Sequence, residues 1–85
     1  MIMAHDIRTL FEELGLIDTG EVVGDSDPLF DSGLLDSIGL IDVLSAIEAR
    51  YGVRIDPDDL NESTVGSLDA IASYLQSRYA PAQLQ

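Results

Sequence analysis

The chemistry this chain could perform is concentrated around Asp36-Ser37, an acid followed by a hydroxyl at the point where an amphipathic helical pattern begins. A serine so placed can act as a nucleophile, receive a modifying group, or cap the helix, because Ser and Asp are both good N-caps. Read as a hydrolase elbow, Leu35-Asp36-Ser37-Ile38-Gly39 lacks the first glycine of Gly-x-Ser-x-Gly. Its base would have to be the single histidine, His5, which precedes the first helix in a chain too small to build a shielded pocket easily. Asp25-Ser26-Asp27 opens a window ending at Asp36 with the length of a calcium loop, but Leu29 and Phe30 stand where an oxygen ligand and a glycine are needed, and the last ligand should be Glu. Neither catalytic residues nor metal ligands are therefore expected.

The elements that must position Ser37 follow from periodicity. Ile7, Leu10, Phe11, Leu14 and Ile17 recur at helical spacing, with Asp6 as the expected cap and Gly15 at the stop. From Asp18 to Asp36 the chain changes character: Gly20, Gly24, Pro28 and Gly33 punctuate it, and its acids have no base among them. So long a loop in a small domain must be functional or anchored by its own apolar residues, here Val22, Val23, Leu29, Phe30, Leu34 and Leu35. A second helix is expected from Asp36 or Ser37 to about Tyr51, ended by Gly52. Asp56-Pro57 then reads as a cap and a first helical position, opening a short third helix through Leu60. A last helix follows Ser63-Thr64, burying Val65, Leu68, Ile71, Ala72, Leu75 and Tyr79 along one face, with Gly66 weakening its first turn. Val53-Arg54-Ile55 is too short to found a sheet. The expected fold is all-α: a small four-helix bundle with a long loop between helices one and two and a short third helix. It is read as a single domain over residues 1–85, with an ordered core of about 4–79 and a tail at 80–85.

Composition limits the partners. The chain has 85 residues, enough for one small core. It contains no cysteine, so any thiol it uses must be borrowed. Sixteen acids against four arginines give a formal net charge of −12, a field that repels nucleic acid and anionic membrane surfaces and attracts proteins with basic patches. No apolar run approaches the ~20 residues of a membrane span, and the N-terminal stretch, with Asp6, Glu12, Glu13 and Asp18, has no secretory pattern. A cytoplasmic monomer is expected.

At about 100° per residue, Leu40, Val43, Leu44, Ile47 and Tyr51 share the core side of the second helix. Ile38 points nearly the opposite way, Ile41 lies on the flank, and Asp42, Ser45 and Glu48 share the outward half. An isoleucine exposed beside a serine and among acids suggests a surface for another protein. The alternative is that Ile38 tucks beneath the long loop.

Leu29-Phe30-Asp31-Ser32-Gly33-Leu34-Leu35-Asp36-Ser37-Ile38, the helix that follows, and Tyr51-Gly52-Val53-Arg54-Ile55 together resemble the carrier-protein family of acyl, peptidyl and D-alanyl carriers. The resemblance spans about residues 7 to 79. Its most specific part is the Gly-x-x-Asp-Ser-Ile core, which departs from the commoner Asp-Ser-Leu. The Gly-Leu-Leu-Asp-Ser wording is closest to D-alanyl and discrete aminoacyl carriers. The resemblance implies 4'-phosphopantetheine, taken from coenzyme A, on Ser37, and a non-catalytic role in which an acyl or aminoacyl cargo rides as a thioester. It implies a phosphopantetheinyl transferase, an adenylating ligase or acyltransferase, and a downstream synthase or transferase as partners. Asp36, Ile38, Ile41, Asp42 and Glu48 match the family's recognition positions. Ala49 and Arg50 depart from it, since many fatty-acid carriers have acids there, and this weakens the case for primary fatty-acid synthesis. An unmodified acidic adaptor, with Ser37 only a cap, is the alternative outside the family.

Overall fold

The computed structural model describes residues 2–18, 20 and 23–78. Helix α1 spans Ala4–Glu13. Asp6, expected as its cap, stands one turn inside it, and its carboxylate accepts the Met3 N–H at 2.8 Å. The helix ends as the sequence signalled. Gly15 adopts φ 78°, and the N–H groups of Leu16 and Gly15 return to the carbonyls of Phe11 and Glu12, a Schellman closure. Ile7, Leu10 and Phe11 are buried, but Leu14, placed by periodicity on the same face, lies in this closure and is exposed.

Helix α2, Ser37–Tyr51, has Asp36 as N-cap and Gly52 in the left-handed conformation at φ 67°. Val43 and Ile47 are buried, while Leu40, Leu44 and Tyr51 are half-buried against the core. Helix α1 packs against α2 and against the last helix, and the core fills the space between them.

The C-terminal half departs from the expected helix boundaries. The Asp56–Leu60 region is a single 3-10 turn, Pro57–Asp59, in which the Asp56 carboxylate accepts the Asp58 N–H at 2.9 Å. The expected continuous last helix is broken into a short α3, Glu62–Val65, and α4, Leu68–Arg78. Asn61 caps α3 through the Ser63 N–H, and Ser67 Oγ accepts the Ala70 N–H at 3.0 Å to start α4 afresh. The short third helix therefore exists, but it is Glu62–Val65. Val65, Leu68, Ile71, Ala72 and Leu75 are buried as expected, whereas Tyr79 and the expected tail at 80–85 lie outside the described residues.

The long loop crosses the helices as a pinned strap. Leu29 and Leu35 are buried, Val23, Phe30 and Leu34 are half-buried, and Val22 lies outside the described residues. Arg8 Nη1 donates to the Val23 carbonyl at 3.0 Å. Two backbone bonds tie the loop to the corner between α3 and α4: Asp69 N–H to Asp25 O at 2.9 Å, and Leu29 N–H to Gly66 O at 2.8 Å. Burying each leucine is worth about 1.5–3 kcal/mol, which holds a glycine-rich segment with no helix among its described residues. Among the described residues no helix is long and apolar enough to cross a membrane.

Candidate functional site

The loop delivers Ser37 to the first turn of α2. The Leu35 N–H closes onto Leu29 O at 3.0 Å, ending a turn in which Gly33 takes φ 81°. Asp36 follows in extended conformation, and its Oδ1 accepts the Gly39 N–H at 2.7 Å. The cap is thus Asp36, and Ser37 is the first helical residue, exposed to solvent. The capping role that could have explained Ser37 is filled by its neighbour, leaving the Ser37 hydroxyl at the protein surface. First-turn N–H groups have no intrahelical acceptor, and the helix dipole is positive there, so a phosphodiester on this hydroxyl would meet a favourable field.

The surroundings are exposed and apolar-acidic. Ile38 is 74% and Ile41 63% exposed, which places neither beneath the loop. Asp36 and Asp42 are exposed as well. Glu48 differs: it is half-buried, and its Oε2 accepts the Ile55 N–H at 2.8 Å, tying α2 to the segment after it. Sequence periodicity put Glu48 on the outward half and could not reveal this tertiary bond. Arg50 forms an ion pair with Glu13 of α1 at the far end of α2, so this departure from the family pattern joins two helices.

Other candidate groups are occupied with local structure. Asp27 turns its carboxylate onto the Gly24 N–H at 2.8 Å, and Asp25 gives its carbonyl to Asp69. Among the described residues no group of three or more His, Cys, Asp or Glu side chains could hold a metal ion. His5 is exposed within α1.

Sequence reasoning missed the contact that seats the turn. A Cβ on Gly39 would lie 3.2 Å from Leu35 Cδ1 and 3.3 Å from Asp36 Oδ1, so the glycine lets the buried leucine and the capping carboxylate close on the helix start. The only signal for it was a glycine inside an apolar helical pattern.

The start of α2 thus presents a surface hydroxyl beside a side-chain cap on a small helical bundle, a position open to covalent attachment of a group. Residues 5–75 match the model of the phosphopantetheine attachment site family, and the chain belongs to that family. It is 29% identical over 73 residues to a D-alanyl carrier protein of Streptococcus suis, covering 86% of this chain and 90% of that protein. It is also 29% identical over 55 residues to a D-alanyl carrier protein of Streptococcus sanguinis, covering 65% and 67% of the two chains. Proteins of this family are non-catalytic carriers of 4'-phosphopantetheine, and the exposed first-turn hydroxyl fits that group. When bound, the group supplies the thiol that this cysteine-free chain lacks.

Proposed function

We propose that Ser37 is the attachment residue and that the chain carries a small aminoacyl or short acyl cargo as a thioester. The observation that carries the first part is the division of labour at the start of α2, where Asp36 caps and Ser37 is left exposed. In this reading the chain orients the hydroxyl for a phosphopantetheinyl transferase, then presents the loaded arm to an adenylating ligase or acyltransferase and to a downstream synthase or transferase in the cytoplasm. Ile38, Ile41, Asp36 and Asp42 form the docking face, and Glu48 supports it from behind through Ile55.

The tightness of the core beneath α2 supports a small cargo. Leu40, Val43, Leu44, Ile47, Ile55, Val65, Ile71, Tyr74 and Leu75 leave a cavity of about 10 Å³, room for at most one water. Tyr74 Oη and Arg78 Nε both donate to Asp59 Oδ2, at 2.8 and 3.3 Å, tying α4 to the 3-10 turn over this region. A long alkyl chain would have to prise these elements apart, whereas an aminoacyl group remains in solvent. This supports a specialised aminoacyl cargo, in keeping with the D-alanyl carrier relatives, over primary fatty-acid synthesis. The test compares the thermal midpoints of the octanoyl and alanyl forms. The expected result is equal midpoints, because burial of even a few methylenes at about 0.8 kcal/mol each would raise the octanoyl form by several degrees. A clear octanoyl-specific rise overturns the small-cargo reading.

Docking is expected to be electrostatically assisted. Asp42→Lys should slow arm transfer a few-fold at low ionic strength and much less at high salt, because exposed charges are screened within about 10 Å at 0.1 M. Glu48→Lys is the poorer test, since it also removes the acceptor for Ile55 N–H. Equal rates for Asp42→Lys and wild type at all salt concentrations would remove the steering component.

A further inference from the structure

We propose that the Gly66 corner between α3 and α4 positions Ser37 for arm transfer, acting through Leu29 and Leu35 rather than by contact. The proposal rests on the reading of Ser37 as the attachment residue.

Gly66 has an ordinary right-handed backbone, φ −77° and ψ −17°, so its glycine is not needed for conformational freedom. It is needed for space: a Cβ there would sit 2.3 Å from the Glu62 carbonyl oxygen, a distance that backbone can relieve only by moving. The corner is held by the Gly66 N–H on Glu62 O at 3.0 Å, while the Gly66 carbonyl accepts the Leu29 N–H at 2.8 Å. Leu29 is fully buried, and its own carbonyl accepts both the Leu35 N–H at 3.0 Å and Ser32 Oγ at 3.2 Å.

Leu35, also buried, is the residue whose methyl lies against Gly39 in the first turn of α2. A continuous series of backbone bonds and one close apolar contact therefore runs from the α3–α4 corner to the turn that bears Ser37. The Asp69 N–H to Asp25 O bond fixes the loop a second time at the same corner, so the loop cannot slide without disturbing the start of α4. Packed interiors transmit such shifts because they deform little.

The test pairs Gly66→Ala with Ala72→Gly. The second variant is at buried Ala72 within α4, outside the series of bonds through Gly66, Leu29 and Leu35, and loses about 1 kcal/mol of helix stability. In the apo proteins, amide hydrogen exchange at Leu35 and Gly39 should accelerate in Gly66→Ala well beyond its effect in Ala72→Gly. With a broad phosphopantetheinyl transferase and coenzyme A, the KM for the carrier should rise about three- to ten-fold in Gly66→Ala, within the range for residues acting through a packed network, with kcat little changed. Equal exchange at Leu35 and Gly39 and equal KM in the two variants would overturn the proposal. Should Gly66→Ala fail to fold, the wild-type protein decides: the Leu29, Leu35 and Gly66 amides should exchange through one opening event with a common denaturant dependence, and three separate dependences would overturn it. If wild type gains no arm at all, the attachment reading fails, while the exchange data still judge the corner.

Discussion

Ser37→Ala is expected to unfold at the wild-type denaturant midpoint and to gain no phosphopantetheine from coenzyme A. The two halves of that result have separate causes. Ser37 is exposed, and the helix cap belongs to Asp36, so truncation removes no cap and leaves no buried partner, and stability should change by no more than about 0.5 kcal/mol. In the proposed reading the hydroxyl is the acceptor in arm transfer, so its loss removes the reaction outright. Equilibrium unfolding by circular dichroism and intact mass after incubation with transferase read the two halves on the same sample. A large stability loss would show that Ser37 is structural, and continued modification would show that another residue is the acceptor.

The second large effect separates the docking face from the core. Ile47→Ala should cost about 2–5 kcal/mol, since Ile47 is 1% exposed and its removal opens a cavity between packed helices. That is a large share of the ~5–15 kcal/mol that holds a domain together. Ile38→Ala, at 74% exposure, should leave the denaturant midpoint almost unchanged while loading slows, because a central apolar anchor contributes to a docked complex and not to the free protein. Leu44, on the core side but half-buried, should fall between the two. If Ile38→Ala destabilises the domain as much as Ile47→Ala while the folded fraction loads normally, the docking face is misplaced.

What could be read from the sequence was local chemistry. Gly15 and Gly52 end their helices in left-handed conformations because the signals, a periodic apolar run followed by glycine, involve only neighbouring residues. The exposure of Ile38 and Ile41 followed from helix angle alone. The boundary between α3 and α4 did not, because Gly66 looks like a weak helical residue until the Leu29 N–H is found on its carbonyl and Ser67 is seen capping a new helix. Leu14 misled for a related reason: its periodicity was correct, but the helix closes before the leucine can turn inward. Glu48 read as solvent-facing because the Ile55 N–H that it accepts arrives from beyond the turn at Gly52. In the site, the sequence pattern singled out Ser37 as the candidate, whereas the buried leucines and close-approach glycines around it depend on contacts between distant residues.

The most direct test of the central claim is fragmentation mass spectrometry of the wild-type protein after incubation with coenzyme A and a broad phosphopantetheinyl transferase. Cleavage at Arg8 and Arg50 yields one peptide that contains Ser26, Ser32, Ser37 and Ser45 together. A single phosphopantetheine per chain, localised to Ser37, is the expected result. A group on any of the other three serines, or no mass gain on a folded protein, would contradict it.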